Sequence, residues 1–264
     1  MSIYIVLTQQ FNADRLRAVL GGGQAVVLHN LAIMSKDGDW ILREDEEACA
    51  HVRSVLAGYG ARYRFGAPLD IRWLAGGWSA HFEFVHDGLR VRTDFVTRPP
   101  RLDAGALERL WTSPSATPVP HAGPRELAEM KKTDREKDYA VIGELARLME
   151  NPADQLLYSR SARDLMLLGR QHGALVASLT AKRPVLNYVS RGREALETAL
   201  DAERRKLMHA NEGRLEDYMN AAGPWADAWP ETQAVMAGLP LGQAHEVMAD
   251  HAQTYLPFSL ETTT

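Results

Sequence analysis

The chain has 264 residues, of which 45% are hydrophobic and 24% charged, with one cysteine and a formal net charge of −4. This is the composition of an ordinary globular protein, long enough for one large domain or two small ones. A lone Cys49 excludes an intrachain disulfide, the lack of a long apolar run excludes a membrane helix, and the acidic balance argues against a wholesale nucleic-acid coat.

The N-terminal MSIYIVLTQQ lacks the basic start of an export signal, so a cytoplasmic protein is expected. Ile3 to Leu7 reads as a short strand or a packed arm. Asn12 reads as the cap of a helix running to Leu20, with Leu16, Val19 and Leu20 on one face. Gly21, Gly22 and Gly23 end that helix, and a second, buried helix is predicted over Gln24 to Ala32. Lys36 to Leu42 reads as a strand. Glu44 to Tyr59 reads as an amphipathic helix whose acidic first turn suits the helix dipole, and Cys49 is an apolar filler within it.

Strands then follow closely, over Arg62 to Phe65, Ile71 to Leu74 and His81 to Val85. His86-Asp87-Gly88 makes a hairpin turn into Leu89 to Val96. Alternation places Leu89, Val91 and Thr93 on one face of that last strand, and Arg90, Arg92 and Asp94 on the other.

Two pieces carry candidate chemistry. The triple glycine leaves backbone N–H groups unshielded before a helix start, which suits a phosphate. Asp37 and Asp39 are two apart on a strand, so both carboxylates point the same way, and a hard divalent cation between them would relieve their repulsion. Taken singly, the glycines read as a turn and Asp37-Gly38-Asp39 as a surface turn. Asp94 either pairs with Arg90 or Arg92 or joins the other two carboxylates.

The run GGGQAVVLHNLAIMSKDGDWIL, followed by LRVRTDFVT, resembles the nucleotidyltransferase superfamily built on the minimal polymerase-β-like fold, and most of all the bacterial AbiEii-type toxins and their relatives. The resemblance covers roughly residues 15–145. It implies an α/β fold, a mixed sheet flanked by helices with a C-terminal helical region. It implies that Gly22 and Gly23, with Gln24, bind the nucleotide, and that Asp37, Asp39 and Asp94 are the catalytic metal ligands. Two Mg²⁺ ions, an NTP donor, an RNA, protein or small-molecule acceptor and a cognate antitoxin follow as implied cofactors and partners. The chain departs from the family pattern at Gln24, where a hydroxyl residue is usual, and at Gly38, where an apolar one is usual.

Residues 97–124 are rich in proline and read as a connector. Thus 1–98 is expected to be the core, 99–124 the connector and 125–264 a helical region. Leu127 to Met149 reads as helical, with Asp134 as a cap or kink. Its KKTDREKDYAVI piece resembles a family segment, which implies that Lys132 and Lys137 meet the triphosphate; the alternative is a solvated, salt-bridged face. Further helices are expected over Asp154 to Gln171, Gly192 to Leu215 and Gly242 to Tyr255, with Trp225 and Trp229 in a packed loop. From Arg160 to Lys206, ten basic residues stand against five acids, either an RNA-facing lobe or ordinary solvated faces. His29 reads as structural, and His81, His86, His172, His245 and His251 lack zinc spacing. The chemistry expected is transfer of a nucleoside monophosphate. The alternative is a nucleotide-binding or interaction module on the same fold without catalysis.

Overall fold

A computed structural model of the protein describes residues 2–112 and 118–260. It divides into two compact units, Met1–Ala122 with Glu216–Thr264, and Gly123–Leu215. The first unit holds the expected mixed sheet flanked by helices.

The chain opens with helix α1 (Ile3–Phe11), then β1 (Ala18–Leu20), α2 (Gly22–Leu28), β2 (Asp37–Leu42), α3 (Glu46–Gly58), β3 (Arg62–Tyr63), α4 (Ile71–Leu74), β4 (Ala80–His86), β5 (Leu89–Val96) and α5 (Ala104–Thr112). The sheet order is β1-β2-β5-β4-β3; β2 and β5 are parallel and the other pairs antiparallel. Trp40, Phe95 and Phe82 are buried on one sheet face. Phe11 of α1 meets Trp40 and Phe95 edge-on, with ring centroids 5.3 and 5.8 Å apart. Val52 and Leu56 of α3 and Met248 of α13 (Leu241–Tyr255) complete this core.

The N-terminal segment is a helix and not a strand or arm. Tyr4, Leu7, Thr8 and Phe11 are its buried positions, a helical spacing that the β-branched run Ile3 to Val6 conceals. Asn12 ends α1 where it was expected to start a helix. Its side-chain amide donates to the carbonyls of Thr8 and Ala18, and its oxygen accepts from the backbone N–H of Arg17 and Ala18. Residues up to Leu20 are thereby turned into β1. Ile71 to Leu74, expected as a strand, is a short helix because Asp70 caps it by accepting from the Arg72 N–H. Residues 97–124 contain α5, while Pro114 lies outside the described residues, as do Thr262 to Thr264.

The second unit comprises α6 (Pro124–Met130), α7 (Glu136–Arg147), α8 (Pro152–Tyr158), α9 (Ala162–Gln171), α10 (Gly173–Leu179), a 3₁₀ helix (Pro184–Tyr188) and most of α11 (Arg193–Ala221). Leu156, Leu165, Leu186 and Leu196 lie in its own core. The segment 125–264, expected as one helical region, is helical but is divided at Glu216, and α12 (Gly223–Met236) and α13 belong to the first unit. Trp225 and Trp229 lie in α12 and not in a loop; Pro224 stands in its first turn, where no N–H is needed, and Pro230 inside it. Trp225 donates to the Gly66 carbonyl at 2.8 Å. Among the described residues no helix is long and apolar enough to cross a membrane.

Cys49 is buried in α3, and burial pushes its thiol up to about 12, as befits an inert filler. His245 of α13 is also buried, and burial, aided by the nearby Arg53 charge, pushes its imidazole down to about 4. The Tyr63 hydroxyl and His245 Nδ1 share a hydrogen bond of 2.8 Å. Below the unfolded value of about 6.5 the unfolded chain takes a proton that the folded chain refuses. Stability should therefore fall as pH drops from about 6.5 to about 4, by about 2–4 kcal/mol from this group. Urea unfolding of His245→Gln, which lacks the titration, should show a flatter pH profile over that window.

Candidate functional site

Alternation gives the sheet a second, polar face. Register sets its residues in two rows across the strands. One row runs Asp39 on β2, Asp94 on β5 and His81 on β4; the next runs Asp37, Arg92, Glu83 and Arg62 on β3. Arg64 extends the first row, its N–H bonded to the His81 carbonyl at 2.9 Å. Thus Asp39 and Asp94 are direct partners across the parallel pair although 55 residues separate them. Asp37 lies two residues along β2 on the same face.

The glycines at the start of α2 fit against this face. Gly21 donates its N–H to the Asp39 carbonyl at 2.8 Å. Gly22 has φ +52°, and a Cβ there would lie 1.8 Å from Asp39 Oδ2. The Asp39 carboxylate therefore occupies the space that any side chain at position 22 would claim. A Cβ at Gly23 would meet the Ser35 hydroxyl at 2.2 Å. A serine from the following loop thus stands beside the glycines, where the sequence has Gln24 instead of a hydroxyl residue. Gln24 itself is buried and donates to the Ser35 carbonyl at 2.8 Å, holding that loop. Gly38 has its own reason: a Cβ there would lie 2.4 Å from the Trp40 ring and 2.6 Å from the Tyr4 ring on the core face.

Asp94 is oriented from its other side. His81 Nδ1 is 2.6 Å from Asp94 Oδ1, and Arg64 Nη1 is 3.4 Å from the same oxygen. His81 Nε2 reaches the Ser79 hydroxyl at 2.8 Å, and that hydroxyl lies 3.2 Å from the Tyr218 hydroxyl. Gly66 closes on the ring, since a Cβ there would meet His81 Cδ2 at 2.4 Å. Arg92, between Asp37 and Glu83 in its row, makes no side-chain hydrogen bond or ion pair among the described residues.

The donors on this face suit a hard divalent cation by chemical type, since they are carboxylate oxygens on adjacent positions of adjacent strands. They are not gathered into one cage. Among the described residues no three His, Cys, Asp or Glu side chains form a group arranged to hold a metal ion. Asp39 is turned over Gly22, and Asp94 is turned to His81 and Arg64.

Lys132 and Lys137 belong to the second unit. Lys132 is tied to Glu129 at 2.7 Å and stacked on the Tyr158 ring, and burial pulls its ammonium below the usual range against the opposing Glu129 charge. Lys137 is exposed in the first turn of α7. Several basic residues of 160–206 are likewise engaged inside that unit. Arg160 and Arg183 both reach Glu203, at 2.6 and 2.8 Å, and Arg193 pairs with Glu197.

Sequence reasoning missed His81, Arg64 and Ser35 as members of this face, and set Arg92 on it beside Asp94. The signal for His81 was present. A two-residue Asp87-Gly88 turn sets His86 opposite Leu89, and counting back along both strands sets His81 opposite Asp94.

No family model matches the chain, and no curated protein matches it. Among solved structures it is similar to one described as a "putative nucleotidyltransferase from H. pylori", at 13% identity and a TM-score of 0.40, over 78% of this chain and 93% of that one.

Proposed function

We propose that the protein is a Mg²⁺-dependent nucleotidyltransferase that moves a nucleoside monophosphate from an NTP to a hydroxyl acceptor. The observation that carries this reading is the pairing of Asp39 with Asp94 across β2 and β5, with the backbone of Gly22 packed on the Asp39 carboxylate. Carboxylates at paired positions of adjacent strands place oxygen donors of the type that a hard divalent cation takes close to one another.

In this reading Asp37, Asp39 and Asp94 hold the metal. When bound, the metal supplies positive charge and Lewis acidity at the phosphates. Gly22 and Gly23 keep side chains away from the phosphate approach. Arg92, and Arg64 when it releases Asp94, attract the triphosphate to the polar face. His81 holds the Asp94 carboxylate in one orientation by its contact with Oδ1. The acceptor hydroxyl passes its proton to Asp94, and its oxygen bonds to the α-phosphorus as the bond to pyrophosphate breaks. The resemblance to AbiEii-type proteins extends the proposal to a toxin restrained by an antitoxin, with RNA, a protein or a small molecule as acceptor.

The test is incubation of the protein with each α-labelled NTP, Mg²⁺ and either total RNA or a protein extract. Label should appear in one macromolecular fraction with equimolar pyrophosphate, and EDTA should stop both. Nucleotide binding without pyrophosphate release in any mixture would support a non-catalytic module instead.

A further inference from the structure

The second unit carries a charged face of its own. From Leu165 to Arg193 the chain has five Lys or Arg and no Asp or Glu, its longest stretch without an acid. We propose that this face binds single-stranded RNA. The binding is independent of the nucleotidyltransferase reading and, where that reading holds, singles out RNA among its acceptors.

Free charge comes first. Arg183 is buried against Glu203, and Arg193 pairs with Glu197. Arg163, Arg170, Lys182 and Arg191 are exposed, and none makes a side-chain hydrogen bond or ion pair among the described residues. Asp164, beside Arg163, is taken by Arg147 at 2.8 Å.

Placement comes second. Arg163 and Arg170 lie two helical turns apart on α9 and share a face. A Cβ on Gly169 would lie 2.3 Å from Val189 Cγ1, so the end of α9 rests directly on the segment that follows the 3₁₀ helix. That contact brings the neighbours of both residues into one area, Arg170 on one side and Tyr188, Ser190 and Arg191 on the other. Lys182 stands in the turn that leads into the same 3₁₀ helix, its N–H bonded to the Leu179 carbonyl. The four cations are thus carried by adjoining elements, where one phosphodiester backbone meets them in succession.

The kind of strand follows from the other side chains. The Tyr188 ring is exposed, and the Arg191 guanidinium lies 4.8 Å from its centre. Unpaired bases stack on such rings and on Arg; the bases of a duplex are already stacked on one another. Ser190 is exposed and makes no side-chain hydrogen bond among the described residues, so its hydroxyl is open to a ribose 2′-OH, which DNA lacks.

The experiment is fluorescence anisotropy of the full chain with a short labelled single-stranded RNA, without NTP or Mg²⁺. Four phosphate contacts predict an affinity that falls about 50-fold between about 50 and 200 mM salt. The Arg170→Ala/Arg191→Ala double variant should cut that fall to about sevenfold. Tyr188→Ala should weaken binding about 10-fold. Arg62→Ala, which removes an exposed cation from the first unit, should leave affinity within about twofold. No binding at about 50 mM salt, or a salt dependence that the double variant leaves intact, overturns the inference. So does equal affinity for duplex RNA or for DNA of the same sequence. Polyglutamate competing as well as RNA of equal charge also overturns it, in favour of an acidic protein partner. Because the titration contains neither NTP nor metal, its failure leaves the transferase reading standing, and a failed transfer assay leaves this one standing.

Discussion

Asp39→Asn is expected to lower nucleotide transfer by about 10²–10³-fold while leaving the protein folded. The substitution keeps the shape of the side chain and removes its charge. Asp39 faces Asp94 across the parallel pair and lies against Gly22, so it stands at the centre of the proposed metal site. The lost term is charge stabilisation at the reacting phosphate, the kind of contribution that single substitutions remove by two to three orders of magnitude. Stability should change little, because Asp94 keeps its contacts with His81 and Arg64. Such a pairing of lost activity with retained stability marks a functional position. The measurements are kcat/KM for the preferred NTP and the urea midpoint. An Asp39→Asn protein within tenfold of the parent activity would contradict the assignment.

Gly22→Ala is expected to damage both properties. A Cβ at position 22 would lie 1.8 Å from Asp39 Oδ2, 2.4 Å from Cγ and 2.8 Å from Cβ. The carboxylate can swing away, but the Asp39 Cβ cannot move without shifting β2. Gly22 also has φ +52°, which costs alanine about 1–2 kcal/mol. With the added crowding, a loss of about 2–4 kcal/mol is expected. Because relief comes from displacing Asp39, transfer should fall by about 10²-fold even in the fraction that remains folded. Gly58→Ala is the control, since a Cβ there meets nothing within 4 Å. A Gly22→Ala protein as stable and active as the Gly58→Ala control would show that the close approach to Asp39 has no role.

The parts of this molecule legible in its sequence are those set by short-range rules. The strand around Asp37 and Asp39, the acidic start of α3, and the Asp87-Gly88 hairpin all follow from period and turn chemistry. The hairpin also placed Val91, Thr93 and Asp94 on their proper faces, although Leu89 proved exposed at the strand end. What misled was apolar content without clear period. Ile3 to Leu7 is β-branched yet helical, because Tyr4, Leu7 and Phe11 pack together on the sheet. Asn12 has equal credentials as a helix start or stop, and only its contacts with residues 17 and 18 decide. The division of the C-terminal helices at Glu216 is a matter of long-range packing, to which helical periodicity is blind. The same limit hid Arg64 and Ser35, which reach the polar face from loops.

The central claim is that Asp37, Asp39 and Asp94 hold divalent cations for a bound nucleotide. Anomalous diffraction from crystals grown with Mn²⁺ and a non-hydrolysable NTP analogue tests it most directly. The account predicts a metal peak at the Asp39 and Asp94 carboxylates, with His81 still bonded to Asp94. Nucleotide bound elsewhere on the molecule, or no metal peak at these carboxylates with nucleotide present, would contradict it.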